Sequence, residues 1–412
     1  MAGKYQAYPD YKYSGIDLLG DIPASWSWSR HKYIARFQKG KNPEVLLDTP
    51  NEGSIRYLSM DYLRGNSDAS FADIERSSYV SKKDQVLIVW DGSNAGEFVK
   101  GQEGIVSSTM AASELLSDIN HGFYWNSCVC LEPEMRKHAN GMGIPHVNGN
   151  ELKNALILLP SKEEQEKITN FLDHETAKID SLIEKQQQLI KLLKEKRQAV
   201  VSHAVTNGLN PNVPMRDSGV EWLGEVPAHW KVGRLKNVLN IRNGKDYKDV
   251  EVESGGYPVY GSGGIFKRSS TYLYDGKSVL FGRKGTVDKP LLVSGKFWTV
   301  DTMFYSEISE YAFAEYVYYQ ATMFPFNLLS TNTALPSMTQ EDLLGLGFVI
   351  PPKDEQSNIV KFVERKCEQF DYLTQKAELA IELMQERRTA LISDAVTGKI
   401  DIRNWQAPNI VK

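Results

Sequence analysis

Two stretches of this 412-residue chain occur twice, in the same order, and that duplication limits the possible folds more than any other feature. Ser14-Gly-Ile-Asp-Leu-Leu-Gly-Asp-Ile-Pro-Ala-Ser-Trp26 returns as Ser218-Gly-Val-Glu-Trp-Leu-Gly-Glu-Val-Pro-Ala-His-Trp230, with seven of 13 positions identical and four more exchanging Ile for Val or Asp for Glu. Residues 160–207 align without a gap on residues 351–398, with 18 of 48 positions identical. The offsets are 204 and 191, so the segment between the blocks is 13 residues longer in the first half. The ends of each half match and the middles do not, which is the pattern of one frame carrying two different inserts.

The second block is a long helix in both copies. Ser161 and Glu164 fit a capping box, Pro352 suits the start of the second copy, and neither interior holds Gly or Pro for some 40 residues. A 4-3 spacing runs through Ile168, Leu172, Glu175, Ile179, Leu182, Gln186, Leu189, Leu193, Lys196 and Val200. It returns through Ile359, Val363, Lys366, Phe370, Leu373, Ala377, Ala380, Met384, Arg387 and Leu391. Such heptads make a coiled-coil seam, and the obvious partner for each helix is the other copy. Asn207-Gly208 and Thr397-Gly398 supply stop signals. Because the first helix leaves insert one and the second leaves insert two, packing together requires them to run antiparallel about a pseudo-two-fold axis. The N-terminal arm should then lie near the returning C-terminus.

The inserts, roughly 27–159 and 231–350, read as α+β. Residues 86–90, 278–282 and 123–131 look like strands, 313–322 like a helix, and Gly261-Ser-Gly-Gly264 like a tight turn. On this reading Cys128 and Cys130 share one face of a strand as buried thiols rather than metal ligands. With only one further cysteine, Cys367, a disulfide framework is excluded, which points to a reducing, cytoplasmic setting. Composition is that of a soluble protein, with no apolar run near the ~20 residues of a membrane span. The net charge of −4 argues mildly against a nucleic-acid partner, but its distribution does not: residues 231–300 carry 13 Lys/Arg against 6 Asp/Glu, and residues 301–351 carry 6 Asp/Glu and no Lys/Arg. That asymmetry suggests one cationic face.

The tools of catalysis are missing. There is no Walker A loop, no GxGxxG after a strand, no Asn-Pro-Pro-aromatic tetrapeptide, and no HExxH or zinc-deaminase pattern. Glu151-Leu-Lys153 and Glu364-Arg-Lys366 match a nuclease E-x-K triplet, but the triplet is common and the second sits on a long helix. No catalytic residue and no metal site is assigned.

The twice-occurring Ser-Gly-[Ile/Val]-[Asp/Glu]-x-Leu-Gly-[Asp/Glu]-[Ile/Val]-Pro-x-x-Trp and Pro-x-Lys-[Asp/Glu]-Glu-Gln-x-x-Ile, in this order over the whole chain, resemble the type I restriction–modification specificity subunit. The resemblance implies an α+β architecture: two α/β target recognition domains joined by two long antiparallel coiled-coil helices in a circularly closed arrangement. The parts would be an N-terminal arm (1–13), recognition domain one (14–160), spacer helix one (161–207), recognition domain two (208–351), and spacer helix two with a tail (352–412). It implies a non-enzymatic DNA reader in which each domain reads half of a bipartite, asymmetric site in double-stranded DNA. The helices would set the gap and dock two methyltransferase subunits, with separate restriction or motor subunits completing the complex. S-adenosylmethionine, ATP and Mg would sit on those partners, and this chain would bind no cofactor. The rival readings are a coiled-coil scaffold with protein-binding inserts and the DNA-reading module of another multi-chain restriction enzyme.

Candidate DNA contacts come from polar and basic loops: Lys39, Lys41, Arg56, Ser93, Asn94 and Lys100 in insert one, and Arg242, Lys245, Lys267, Arg268, Arg283, Lys284 and Lys289 in insert two. The Gly282-Arg-Lys-Gly285 turn presents two cations after a strand, and Asp91-Gly-Ser-Asn94 follows a strand at a loosely matching place. Arg on guanine is the commonest specific major-groove contact.

Overall fold

The structure, a computed structural model, describes residues 5–17, 19–139, 143–329 and 337–407. It comprises two compact units: unit one is Met1–Lys185 with Ala380–Lys412, and unit two is Gln186–Leu379.

The two long helices are Lys162–Asn207 and Lys353–Val396. Ser161 Oγ accepts the Glu164 N–H at 3.3 Å, so half of the expected capping box forms. The Glu164 carboxylate turns instead to the hydroxyl of Tyr8, 2.5 Å away. Gly208 and Gly398 follow the helices with φ of +77° and +72°, the left-handed conformation that ends a helix and that glycine adopts without strain. In unit one the early part of the first helix lies against the late part of the second, with Asp180 bonded to Arg388 at 3.0 Å. In unit two the late part of the first meets the early part of the second, with Arg197 and Asp371 3.5 Å apart. The helices are therefore antiparallel within each unit.

Ile168, Leu172, Ile179, Leu193, Ile359, Val363, Ala377 and Leu391 are buried, and Val200, Phe370 and Met384 partly so. Leu182, Leu189 and Leu373, expected in the seam, are instead 48%, 42% and 46% exposed. Their neighbours Ile183, Ile190 and Thr374 are the partly buried residues. The covered face runs 168, 172, 175, 179, 183, 186, 190, 193, 197, 201, 204, a mean step of 3.6 residues. That is the period of a straight α-helix, so a strict 3.5-residue heptad drifts off the interface along its length.

The main sheet of one insert is repeated in the other. In unit one Ala35–Lys39, Met110–Leu115, Val86–Val89 and Phe98–Lys100 form an antiparallel sheet in that order. In unit two Leu239–Asn243, Met303–Ile308, Ser278–Gly282 and Leu291–Val293 repeat it. A second sheet in each contains one parallel pair, Ile55–Leu58 with Gly104–Val106 in unit one and Tyr257–Gly261 with Lys296–Thr299 in unit two. Inserts that do not match as the flanking blocks do thus share the topology of the main sheet, while the second sheet has four strands in unit one and five in unit two.

Residues 123–131 are helical rather than extended, within His121–Lys137. Asn120 caps this helix, its side chain accepting the Phe123 N–H at 3.0 Å. Buried Phe123, Tyr124, Ser127, Cys128 and Met135 follow helical spacing, which outweighs the strand propensity of the aromatic and Val residues. Two residues apart on a helix, Cys128 and Cys130 do not share a face. Burial pushes both thiols above their ordinary range.

The repeated motifs are joints. Trp26 and Trp230 are fully buried, each beside the glycine that follows a long helix: Gly398 for Trp26 and Gly208 for Trp230. Gln165 Oε1 accepts the Asn120 N–H at 2.9 Å while its amide donates to Pro160 O at 3.0 Å. Gln356 does the same with the Phe313 N–H (3.1 Å) and Pro351 O (2.9 Å). The arm closes on the tail, the Asp401 N–H donating to Gln6 O at 2.7 Å and Tyr11 Oη to Gly398 O at 2.9 Å.

Candidate nucleic-acid interface

The central strand of each main sheet ends in a loop held by the same main-chain bonds. In unit one the N–H groups of Trp90 and Asp91 donate to Thr109 O (2.7 and 3.2 Å), and Val147 donates to Trp90 O at 2.9 Å. In unit two Arg283 and Lys284 donate to Thr302 O (2.8 and 3.3 Å), and Met338 donates to Arg283 O at 3.0 Å. Asp91 bridges His146 as Lys284 bridges Ser337. Beside each loop a glycine ends the edge strand, Gly40 bonded to Met110 O and Gly244 to Met303 O, both at 2.9 Å. A Cβ on either would collide with a main-chain carbonyl, that of Val106 or Val300, so only glycine permits this close approach. Trp90 therefore corresponds to Arg283, Asp91 to Lys284, His146 to Ser337 and Lys39 to Asn243, one residue out of step with the alignment expected from sequence.

The frame is common and the side chains are not. In unit one Asp91 lies 2.5 Å from both Lys39 Nζ and His146 Nδ1. Partial burial acts to raise its carboxyl, but the Lys39 and His146 contacts outweigh that and hold it below its ordinary range. In unit two a groove of about 350 Å³ is lined by Asn243, Arg283, Lys284, Ser337, Thr339 and Gln340. Gln340 Nε2 donates to Asn243 Oδ1 at 3.0 Å, and Arg283 Nη1 to Asp301 O at 3.3 Å.

Of the cations expected to meet DNA, Arg283 and Lys284 share this groove, and neither has a carboxylate partner among the described residues. Lys245 and Lys289 are exposed but do not line the groove, and Arg268 donates to Gly256 O at 3.2 Å. Arg242 is bound to Glu307 (3.1 and 3.2 Å) and Lys267 to Glu251 at 2.5 Å. Lys277 likewise pairs with Glu315. The acidic stretch 301–351 thus folds back on the basic one and neutralises part of it, at Arg242 and Lys277. In unit one Lys39 is paired with Asp91, Lys41 donates to Ser77 Oγ at 2.9 Å, and Arg56 stands exposed on Ile55–Leu58. Asn94 accepts from Arg136 at 3.1 Å beside exposed Ser93, and Lys100 lies over the Trp125 ring at 5.3 Å. His146, Asn243 and Gln340 are not singled out by the sequence, and Asp91 enters only as the first residue of the Asp91-Gly-Ser-Asn94 turn. A further signal for the place is Gly-Lys after the first long strand of both inserts, Gly40-Lys41 and Gly244-Lys245.

Among the described residues no group of three His, Cys, Asp or Glu side chains is arranged to hold a metal, and no helix is long and apolar enough to cross a membrane.

Comparison with known proteins agrees with this duplicated plan. The family described as type I restriction modification DNA specificity domain matches twice, over residues 23–192 and 227–383. The chain is 26% identical over 421 residues to the type I restriction enzyme MjaVIII specificity subunit of Methanocaldococcus jannaschii, covering 93% of this chain and 95% of that protein. It is 23% identical to the EcoDI specificity subunit of Escherichia coli, covering 95% and 92%. A chain solved in work on complex assembly and conformational transition of the type I R-M system superposes with a TM-score of 0.65 at 16% identity, covering 92% of this chain and 99% of its own. The HsdS subunit from Thermoanaerobacter tengcongensis gives 0.50 at 15% identity, with 92% and 98% covered. At these identities the two structures show a shared fold.

Proposed function

The chain belongs to the type I restriction modification DNA specificity family, and from that membership we propose how it works as the specificity subunit of such a system. It is the non-catalytic, sequence-reading component. The insert of unit one reads one half of a bipartite site in double-stranded DNA, and the insert of unit two reads the other. The observation that carries this is the pair of equivalent loops. One main-chain frame presents Lys39, Asp91 and His146 in one unit and Asn243, Lys284 and Ser337 in the other. An identical frame with different hydrogen-bonding groups is what two readers of different half-sequences require, because main chain positions and side chains specify.

The long helices set the gap and carry the partners. Leu182 and Leu192 on the first helix and their repeat equivalents Leu373 and Leu383 on the second are 48%, 60%, 46% and 56% exposed. Large apolar side chains at matching positions of both helices suit two copies of one methyltransferase subunit. S-adenosylmethionine, ATP and Mg belong on the methyltransferase and motor partners, and the complex acts on DNA in the cytoplasm.

The test is to map methylated adenines genome-wide in cells carrying the partner subunits, with and without this chain. Methylation at one bipartite, asymmetric sequence, only when the chain is present, is expected. Methylation independent of the chain, or no salt-sensitive duplex binding by the assembled complex, would overturn the reading.

A further inference from the structure

Asn243 and Gln340 lie 97 positions apart and meet in the groove of unit two. Asn243 ends the edge strand Leu239–Asn243, immediately before Gly244 passes a main-chain carbonyl too closely for any other residue. Gln340 opens the short helix Gln340–Gly345, fixed by Thr339 Oγ1, which accepts the Asp342 N–H at 3.1 Å. Both positions are therefore held by backbone features rather than by the amides themselves. The bond from Gln340 Nε2 to Asn243 Oδ1 leaves Gln340 Oε1 as an acceptor and Asn243 Nδ2 as a donor. Asn243 is exposed, Gln340 is half-buried, and both line the groove shared with Arg283 and Lys284.

We infer that Asn243 and Gln340 form a composite reader of adenine, presenting one donor and one acceptor to the N7 and N6 edge of that base in the DNA major groove. A single Asn or Gln does this with its own amide. Here the mutual bond holds two amides so that the outward donor and acceptor come from different residues, and less rotamer freedom is lost on binding. Arg283 and Lys284 supply the adjoining cations for phosphate or guanine. In unit one the matching positions are Lys39 and Gly149. Asn148 caps the helix Gly149–Asn154 just as Thr339 caps its counterpart, and Gly149 faces only the Trp90 ring. The first insert therefore has no amide pair at this place and reads a different half-sequence.

The inference rests on the proposed reading of DNA by both inserts, and its test separates the two. Asn243→Ala, Gln340→Ala and, as a control in the other insert, Asp91→Ala are each made in the full chain and assembled with its partner subunits. Methylated sites are then sequenced. With either amide variant, one adenine of one half-site should become replaceable, discrimination against other bases falling ~5- to 100-fold. The other half-site should be unchanged, and it is the half altered by Asp91→Ala. Unchanged sequences at full methylation would overturn the inference, as would relaxation in the half that Asp91→Ala alters. If an amide variant abolishes methylation, competition binding of the assembled complex to duplexes bearing each base decides, and equal weakening for all four overturns it. Absence of chain-dependent methylation with the unaltered chain would instead defeat the functional reading itself.

Discussion

Arg388 donates to Asp180 at 3.0 Å, and the same two repeat positions meet again as Arg197 and Asp371 at 3.5 Å. In both pairs the residue numbers sum to 568, so the two ion pairs carry one antiparallel register. All four side chains are more than a third exposed, and pairs of this kind contribute at most ~1 kcal/mol each. They mark the register, while the buried aliphatic residues hold the helices together.

Leu172 and Leu182 should therefore behave as opposites. Leu172→Ala removes a fully buried side chain and is expected to cost ~2–5 kcal/mol, read as a lower unfolding midpoint of the full chain. Leu182→Ala should stay within ~0.5 kcal/mol, because its side chain is half in water. It should instead weaken assembly with the methyltransferase subunit, measurable by sedimentation of the mixed proteins. Equal destabilisation by both would place Leu182 back in the seam.

The phase of that seam shows where spacing alone stops. Leu182-Ile183, Leu189-Ile190 and Leu192-Leu193 are adjacent apolar pairs, so either member satisfies a hydrophobic pattern. Only packing at 3.6 residues per step selects Ile183, Ile190 and Leu193. The long helices were readable because a repeat, a cap and uninterrupted helix formers agree over 40 residues. The strand reading of 123–131 failed because Phe, Tyr, Trp and Val favour strands locally, whereas burial at helical spacing is a tertiary property. Arg283 could be found by its position after a strand. Asn243 and Gln340 could not, since nothing in the sequence pairs residues 97 apart in an insert without a matching copy.

His31 should tie the stability of unit one to pH. It is buried with Nε2 2.8 Å from Tyr124 Oη, and burial pushes its imidazole down to about 4. The unfolded chain takes up the proton first, near pH ~6.5. Stability is thus complete above that pH and falls as pH drops toward about 4, by ~3 kcal/mol. His31→Gln should flatten unfolding midpoints measured between these limits, and an unaltered slope would assign the pH dependence to other groups.

Arg283→Ala should lower affinity or relax sequence choice at one half-site only, by ~1–3 kcal/mol if the guanidinium reads guanine. Competition binding with duplexes altered at single positions measures this. Equal loss for every duplex would make Arg283 a phosphate contact.

Lengthening the helix pair should lengthen the site. Four residues inserted after Glu184 and four after Leu383 enter at facing positions of the 568 register within unit one. They add ~6 Å at ~1.5 Å per residue, close to two base pairs at ~3.4 Å each. Sequencing the methylated sites made by the lengthened complex should return both half-sequences with the gap grown by about two base pairs. An unchanged gap at full activity would deny the helices a role in spacing.

Among the described residues Gln165 and Gln356 bond only to main chain: they accept the N–H groups of Asn120 and Phe313, and they donate to carbonyls, Gln165 to Pro160 and Gln356 to Pro351 and Tyr311. Through these glutamines the frame holds main chain, and in unit one it adds a single side-chain bond, Thr169 Oγ1 donating to Asn120 Oδ1 at 2.9 Å. The demand falls on the start of a helix, far from whatever bases the loops favour. Selection can therefore rewrite the reading loops, or exchange an insert whole between the two copies of the flanking blocks, without reopening the question of how the chain holds together.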